Sequence, residues 1–193
     1  MRHSTPTIEQ QPLAKAIWQV SLAVYSQPGI KAACLALQSD YRVRVGVLLA
    51  LMGLPLFGHR ALLMAEMADV LTRANAWQTA VIEPLRGVRN QLKAAAPVEI
   101  DAGAQALRSQ VLGNEIEAER QQQVLVVIDY CRVIHTALDE AEPTANVANA
   151  LADSGLNASR YFDSINALAA AQSQAYAQLL EAFGQAHTPG RLA

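Results

Sequence analysis

Aromatic side chains supply only 5% of this chain and charged ones only 17%, although 52% of its residues are hydrophobic. Alanine makes up much of that hydrophobic total, and alanine is the strongest helix former because it loses no side-chain entropy on ordering. Runs of Val, Ile and Thr with a period of two are missing, which removes the case for a sheet. Two cysteines, Cys34 and Cys131, lie about a hundred positions apart. They offer neither a disulfide framework nor a zinc spacing, and in their apolar contexts they behave as small buried hydrophobes. The longest uncharged apolar run, 45–58, has 14 residues and contains Pro55, whereas a membrane span needs about 20. The opening residues lack the apolar core of a signal peptide. A strongly basic total is also missing, so nucleic acid is not favoured as a partner. What remains is an all-α, cytoplasmic protein.

The net charge of −2 hides a gradient: residues 1–100 carry a balance of +4 and residues 101–193 one of −6. Either the two halves attract each other within one fold, or a basic face is offered to an acidic partner. The spacing of apolar residues predicts a compact bundle of about eight helices, with a long central helix and a C-terminal helical arm. We expect an N-terminal module over 12–96, a second unit over 104–184, and flexible tails at 1–11 and 185–193. Pro12 suits the first turn of a helix, which carries Leu13, Ile17, Val20 or Ser21, and Val24 and stops at Pro28-Gly29. The next passes through Ile30, Ala33, Cys34 and Leu37 to about Ser39-Asp40. A third, 43–54, is apolar nearly all round and so central to the core, ending at Pro55 and Gly58.

A fourth helix is predicted at 60–74. The next, 76–95, should kink or restart at Pro84, which lacks a donor and clashes with the turn before it. Residues 97–103 form the expected linker. The longest helix then covers 104–141 with the stripe Leu107, Val111, Ala118, Leu125, Ile128 and Leu138, ended by Glu142-Pro143. A short helix, 144–153, is closed by Ser154-Gly155. Asn157 then caps a last helix whose seam is Tyr161, Ile165, Leu168, Gln172, Tyr176, Leu179 and Phe183, close to a heptad pattern.

Catalytic and metal constellations do not assemble. The four histidines, His3, His59, His135 and His187, have no ligand-type partner one turn away, so no metal is expected. Asp129-Tyr130-Cys131-Arg132 lacks the neighbouring carboxylates that a magnesium–diphosphate site requires. There is no Gly-x-Ser-x-Gly elbow and no glycine-rich phosphate loop. No catalytic residue and no cofactor is predicted. Arg86, Arg89 and Lys93 do fall on one helical stripe, and an arginine fork binds carboxylate or phosphate at two points. The stripe either seats an external anion or pairs internally with Glu115 and Glu119, which lie one turn apart. Glu83, Trp77 and Tyr25 complete the candidate binding set. Trp18, Tyr25 and Trp77 also fit simple core roles.

These residues carry a family resemblance. Trp18 to Tyr25 with Pro28-Gly29-Ile30 and Ala33 to Gln38, then Trp77 to Val81 with Glu83-Pro84-Leu85-Arg86, Arg89 and Leu92-Lys93, resemble an uncharacterised proteobacterial family, domain of unknown function 2390. A looser block is Asn114-Glu115 with Glu119 and Gln122. The resemblance covers about 15–125 and departs from the family pattern at Arg44-Val45-Gly46 and Gly53. It implies a small cytoplasmic helical protein and supplies no reaction. The sequence is therefore read as a non-enzymatic helical interaction or regulatory protein with a protein partner, and a homodimer through the last helix is one form of that. The alternative is a helical binder, conceivably an enzyme, of a small anionic or lipid-like ligand in an inter-helix pocket. Peripheral membrane attachment through 45–58 is a third reading.

Overall fold

A computed structural model of the chain describes residues 11–94, 101–138 and 142–186. The expected tails, and the linker up to residue 100, lie outside the described residues apart from Gln11, Gln185 and Ala186. Among the described residues eight α-helices follow one another: α1 Pro12–Tyr25, α2 Ile30–Tyr41, α3 Val45–Gly53, α4 Met64–Trp77, α5 Glu83–Ala94, α6 Asp101–Ile134, α7 Val147–Ser164 and α8 Gln174–Ala186. Among the described residues there is no strand. The fold is all-α.

The all-round apolar run becomes the centre. Val47, Leu48, Leu49, Ala50, Leu51 and Met52 of α3 are all buried, with α1, α6 and α7 packed around them. Pro55 does not stop this run. The chain tightens into a 3-10 turn, Leu54–Phe57, and Gly58 at φ 82 closes it. Gly53 lets α1 approach, since a Cβ there would lie 3.3 Å from Ile17 Cδ1. Because the whole stretch 45–56 is enclosed, its apolar surface is not available to a membrane, and no single described helix is long and apolar enough to cross one.

Several boundaries differ from expectation. Pro84 produces no restart: Met64 to Ala94 stays helical, and a π turn at Gln78–Ile82 widens the backbone just ahead of the proline. A π turn accommodates Pro84 because the widened hydrogen-bond pattern removes the donor and the clash at issue. Residues 101–103 already belong to α6. Ser154-Gly155 does not end a helix either. α7 runs straight through, capped by Asn146, whose side chain accepts the Asn149 N–H at 3.3 Å. Asn157 points into the core instead of capping. It accepts the Leu62 N–H at 2.9 Å and donates to the Leu51 carbonyl at 2.8 Å and to the Tyr130 hydroxyl at 3.2 Å. Ser154 Oγ reaches the Met52 carbonyl at 2.6 Å. These buried bonds offset the weak helix propensity of the segment.

The expected last helix is two. It breaks between Ile165 and Ser173, and Leu168 is exposed there. Tyr176, Leu179 and Phe183 of α8 are buried, with α8 packed on α2 and α1. Tyr176, Leu179 and Phe183 are thus spent inside the fold, and Leu168 is a large apolar seam residue left exposed.

Three helices end on a left-handed residue other than glycine: Arg42 at φ 56, His135 at φ 55 and Asn166 at φ 57. The next N–H in each case turns back onto the helix, from Val43 to the Leu37 carbonyl, Thr136 to Cys131 and Ala167 to Phe162. Side chains bearing a Cβ pay a steric penalty in this region. Arg42→Gly and His135→Gly should each raise unfolding stability by about 1 kcal/mol, read as a shift in the urea midpoint. A loss of stability in both would contradict the assignment of these caps.

Candidate functional site

The site begins where α4 passes through the π turn into α5. Trp77 is half-buried and its Nε1–H donates to the Ala118 carbonyl of α6 at 2.9 Å. Gln78 is buried beside it and accepts from Gln122 Nε2 at 3.1 Å, a group that also reaches the Ala74 carbonyl at 2.8 Å. These polar bonds register α4 against α6. Beyond them α5 has no buried residue and packs on α6 and the π turn. Apolar burial alone does not hold it.

Charge does. Arg86 Nε lies 2.8 Å from Glu115 Oε1, and Arg89 Nε lies 2.6 Å from Glu115 Oε2. Arg86 Nη2 also bonds Glu119. The Glu115 side chain is only 6% exposed, so one buried carboxylate is shared by two arginine forks. Burial raises the Glu119 carboxyl above its usual range. Arg86 opposes that shift without cancelling it, and Glu115 adds to it. Tyr25 of α1 stands near enough for Glu119 to contribute to its raised phenol, after burial and Cys34. The arginine stripe thus has an internal anion. Of the other residues named from sequence, Glu83 and Lys93 are exposed on α5, and Trp77 engages the α6 backbone rather than the arginines.

Sequence reasoning missed a second ion cluster. Asp129 is fully buried and accepts from Arg73 Nε at 2.8 Å and Nη2 at 2.7 Å, with Arg132 Nη2 at 3.2 Å. A lone aspartate inside the apolar run Val124–Val133, with Arg132 three residues on, was the available signal. Burial pushes the Cys34 thiol up to about 11 and the Cys131 thiol up to about 12, so neither is a ready nucleophile. Among the described residues no group of three His, Cys, Asp or Glu side chains could hold a metal ion. A cleft of about 190 Å³ between Gln27, Pro28, Ile30, Gln178 and Glu181 contains none of the arginines. It is smaller than the roughly 300–1,000 Å³ of most ligand sites.

The model of a family described as Protein of unknown function (DUF2390) matches residues 16–126. The chain belongs to this family. No curated protein and no solved structure matches it. The family match runs from α1 into the middle of α6, and its span includes Tyr25, Trp77, Gln78, Arg86, Arg89, Glu115, Glu119 and Gln122. The fold gathers these along one face-to-face contact: blocks far apart in sequence become the two sides of the α5–α6 hairpin and its junction with α1.

Because Glu115 serves two arginines while Arg86 also keeps Glu119, its loss should be the most costly. Glu115→Ala is expected to reduce stability by about 3 kcal/mol, and Arg89→Ala by about 1 kcal/mol. Urea unfolding measures both, and equal losses would contradict the shared-carboxylate arrangement.

Proposed function

We propose that this family member is a non-enzymatic, cytoplasmic interaction protein whose contact surface is an apolar stripe on α6 beside the arginine lattice. The observation that carries this reading is the stripe itself. Leu112 and Ile116 are 43% and 48% exposed, on a helix that charge holds in place. Leu112, Ile116, Glu119 and Gln123 recur at spacings of four, three and four, which places them on one side of the helix. At the Gln123 end that side is covered. Gln123 Nε2 bonds the Gly46 carbonyl at 2.9 Å and Ser21 Oγ at 3.3 Å. At the other end α1 has finished, and its own Leu22 and Tyr25 are exposed there. Large apolar residues grouped on a rigid element mark binding surfaces more often than isolated ones do.

Internal neutralisation of Arg86 and Arg89 supports this surface over one that seizes an anion through the arginines. The small cleft, set apart from them, gives no support to a ligand pocket. Two buried, unpaired cysteines agree with a reducing compartment. The test is affinity capture from the source cells with wild type, Ile116→Asp and a distant exposed control, Leu156→Asp. Partners retained by wild type and the control should be lost from Ile116→Asp. An identical set from all three proteins would sink the reading.

A further inference from the structure

The unroofed stretch of α6 has an order that is its own complement when reversed. One turn before Leu112 stands Arg108, half-buried, with its Nε–H enclosed and lacking an acceptor. No salt bridge or hydrogen bond involves its guanidinium among the described residues. Three residues after Ile116 stands Glu119, whose side chain remains 34% exposed despite its bond to Arg86. Along the helix the sequence is therefore cation, apolar, apolar, anion. At about 100° per residue these four side chains fall within an arc of about 80°, with Arg108 and Glu119 on the same edge, the edge nearer α5.

We propose, resting on the interaction reading above, that the occupant of this stripe is α6 of a second copy of the chain, antiparallel across a two-fold axis midway between Leu112 and Ile116. In a two-fold contact, if residue i meets j then j meets i. Here Leu112 lies against Ile116 of the second copy and Ile116 against its Leu112. Arg108 comes level with the second copy's Glu119 to within one residue, about 1.5 Å of helix rise. A two-fold axis perpendicular to the plane of the helix pair keeps like edges together, so the opposite charges meet on the α5 side. Each ion pair occurs twice. The N-terminal turns of each α6 then reach the exposed Leu22 and Tyr25 where the other copy's α1 ends.

Electrostatics in one copy leave both ends of this arrangement underserved. Among the described residues Arg108 Nε has no acceptor, and the Glu119 side chain stays 34% exposed beside Arg86 while burial raises its carboxyl. A second copy sets opposite charges beside each other at both ends with residues already present. The contact is small and consists of two apolar side chains from each α6 with two more from each α1, so the association belongs to the weak class of interfaces. It is reversible and concentration-dependent.

Sedimentation velocity on the full chain over a wide concentration range tests this. Wild type should pass from monomer to dimer as concentration rises. Ile116→Asp should remain monomeric, and Arg108→Glu, which sets two carboxylates side by side, should weaken the dimer at least about tenfold. Leu156→Asp, on α7, should behave as wild type. Ile116 is about half exposed and Arg108 half-buried, and circular dichroism confirms that both variants remain folded. A wild type that stays monomeric throughout overturns the second copy as occupant. A dimer indifferent to both α6 variants overturns it too. Neither result decides the capture experiment, which addresses the interaction reading separately.

Discussion

The part of this protein outside its apolar core depends on one buried carboxylate. Glu115 sits under α5 with an arginine fork on each oxygen, and α5 contributes no buried residue of its own. Removing a charge from water is costly, and only well-aligned partners compensate. Here the compensation has a structural result: it ties α5, whose Leu85 and Leu92 are only partly covered, onto the 34-residue α6. The basic first half and acidic second half of the chain meet at this point. The charge gradient is in large part an instruction for folding.

That tie determines what the surface offers. α6 is about 50 Å long, and its C-terminal half is enclosed by α1, α3 and α4. Its N-terminal half has α5 on one side and open solvent on another. Because α1 ends at Tyr25, near Glu119, the apolar spacing of α6 continues past its cover. A helix patterned for burial is thus left exposed over two turns. The ion lattice ties that segment to α5, so the exposed apolar stripe is carried on a helix held from one side.

Much of this architecture was legible in the residues. An all-round apolar segment must be surrounded, and α3 is. Pro28-Gly29 ends a helix through Gly29 at φ 82. The three-and-four spacing of Arg86, Arg89, Glu115 and Glu119 already allowed the internal pairing. The misses have local causes. The left-handed cap at His135 follows neither glycine nor proline, so the sequence pattern predicts α6 too long at its C-terminal end. A π turn gives no compositional sign, so the sequence predicts a kink or restart at Pro84. Ser154, Gly155 and Asn157 favour turns in isolation, and only the carbonyls of α3 and the Leu62 amide, distant in sequence, explain why α7 continues. Which flank of α6 lies open could not be read at all, because it depends on where α1 stops in space.

The central claim is that charge, beyond the partial burial of Leu85 and Leu92, holds α5 against α6. Hydrogen exchange resolved by segment, on wild type and Glu115→Gln, tests it most directly. The account predicts that amides of α5 are protected in wild type and exchange markedly faster in the variant, while those of α3 are unchanged. Equal protection of α5 in both proteins would contradict it.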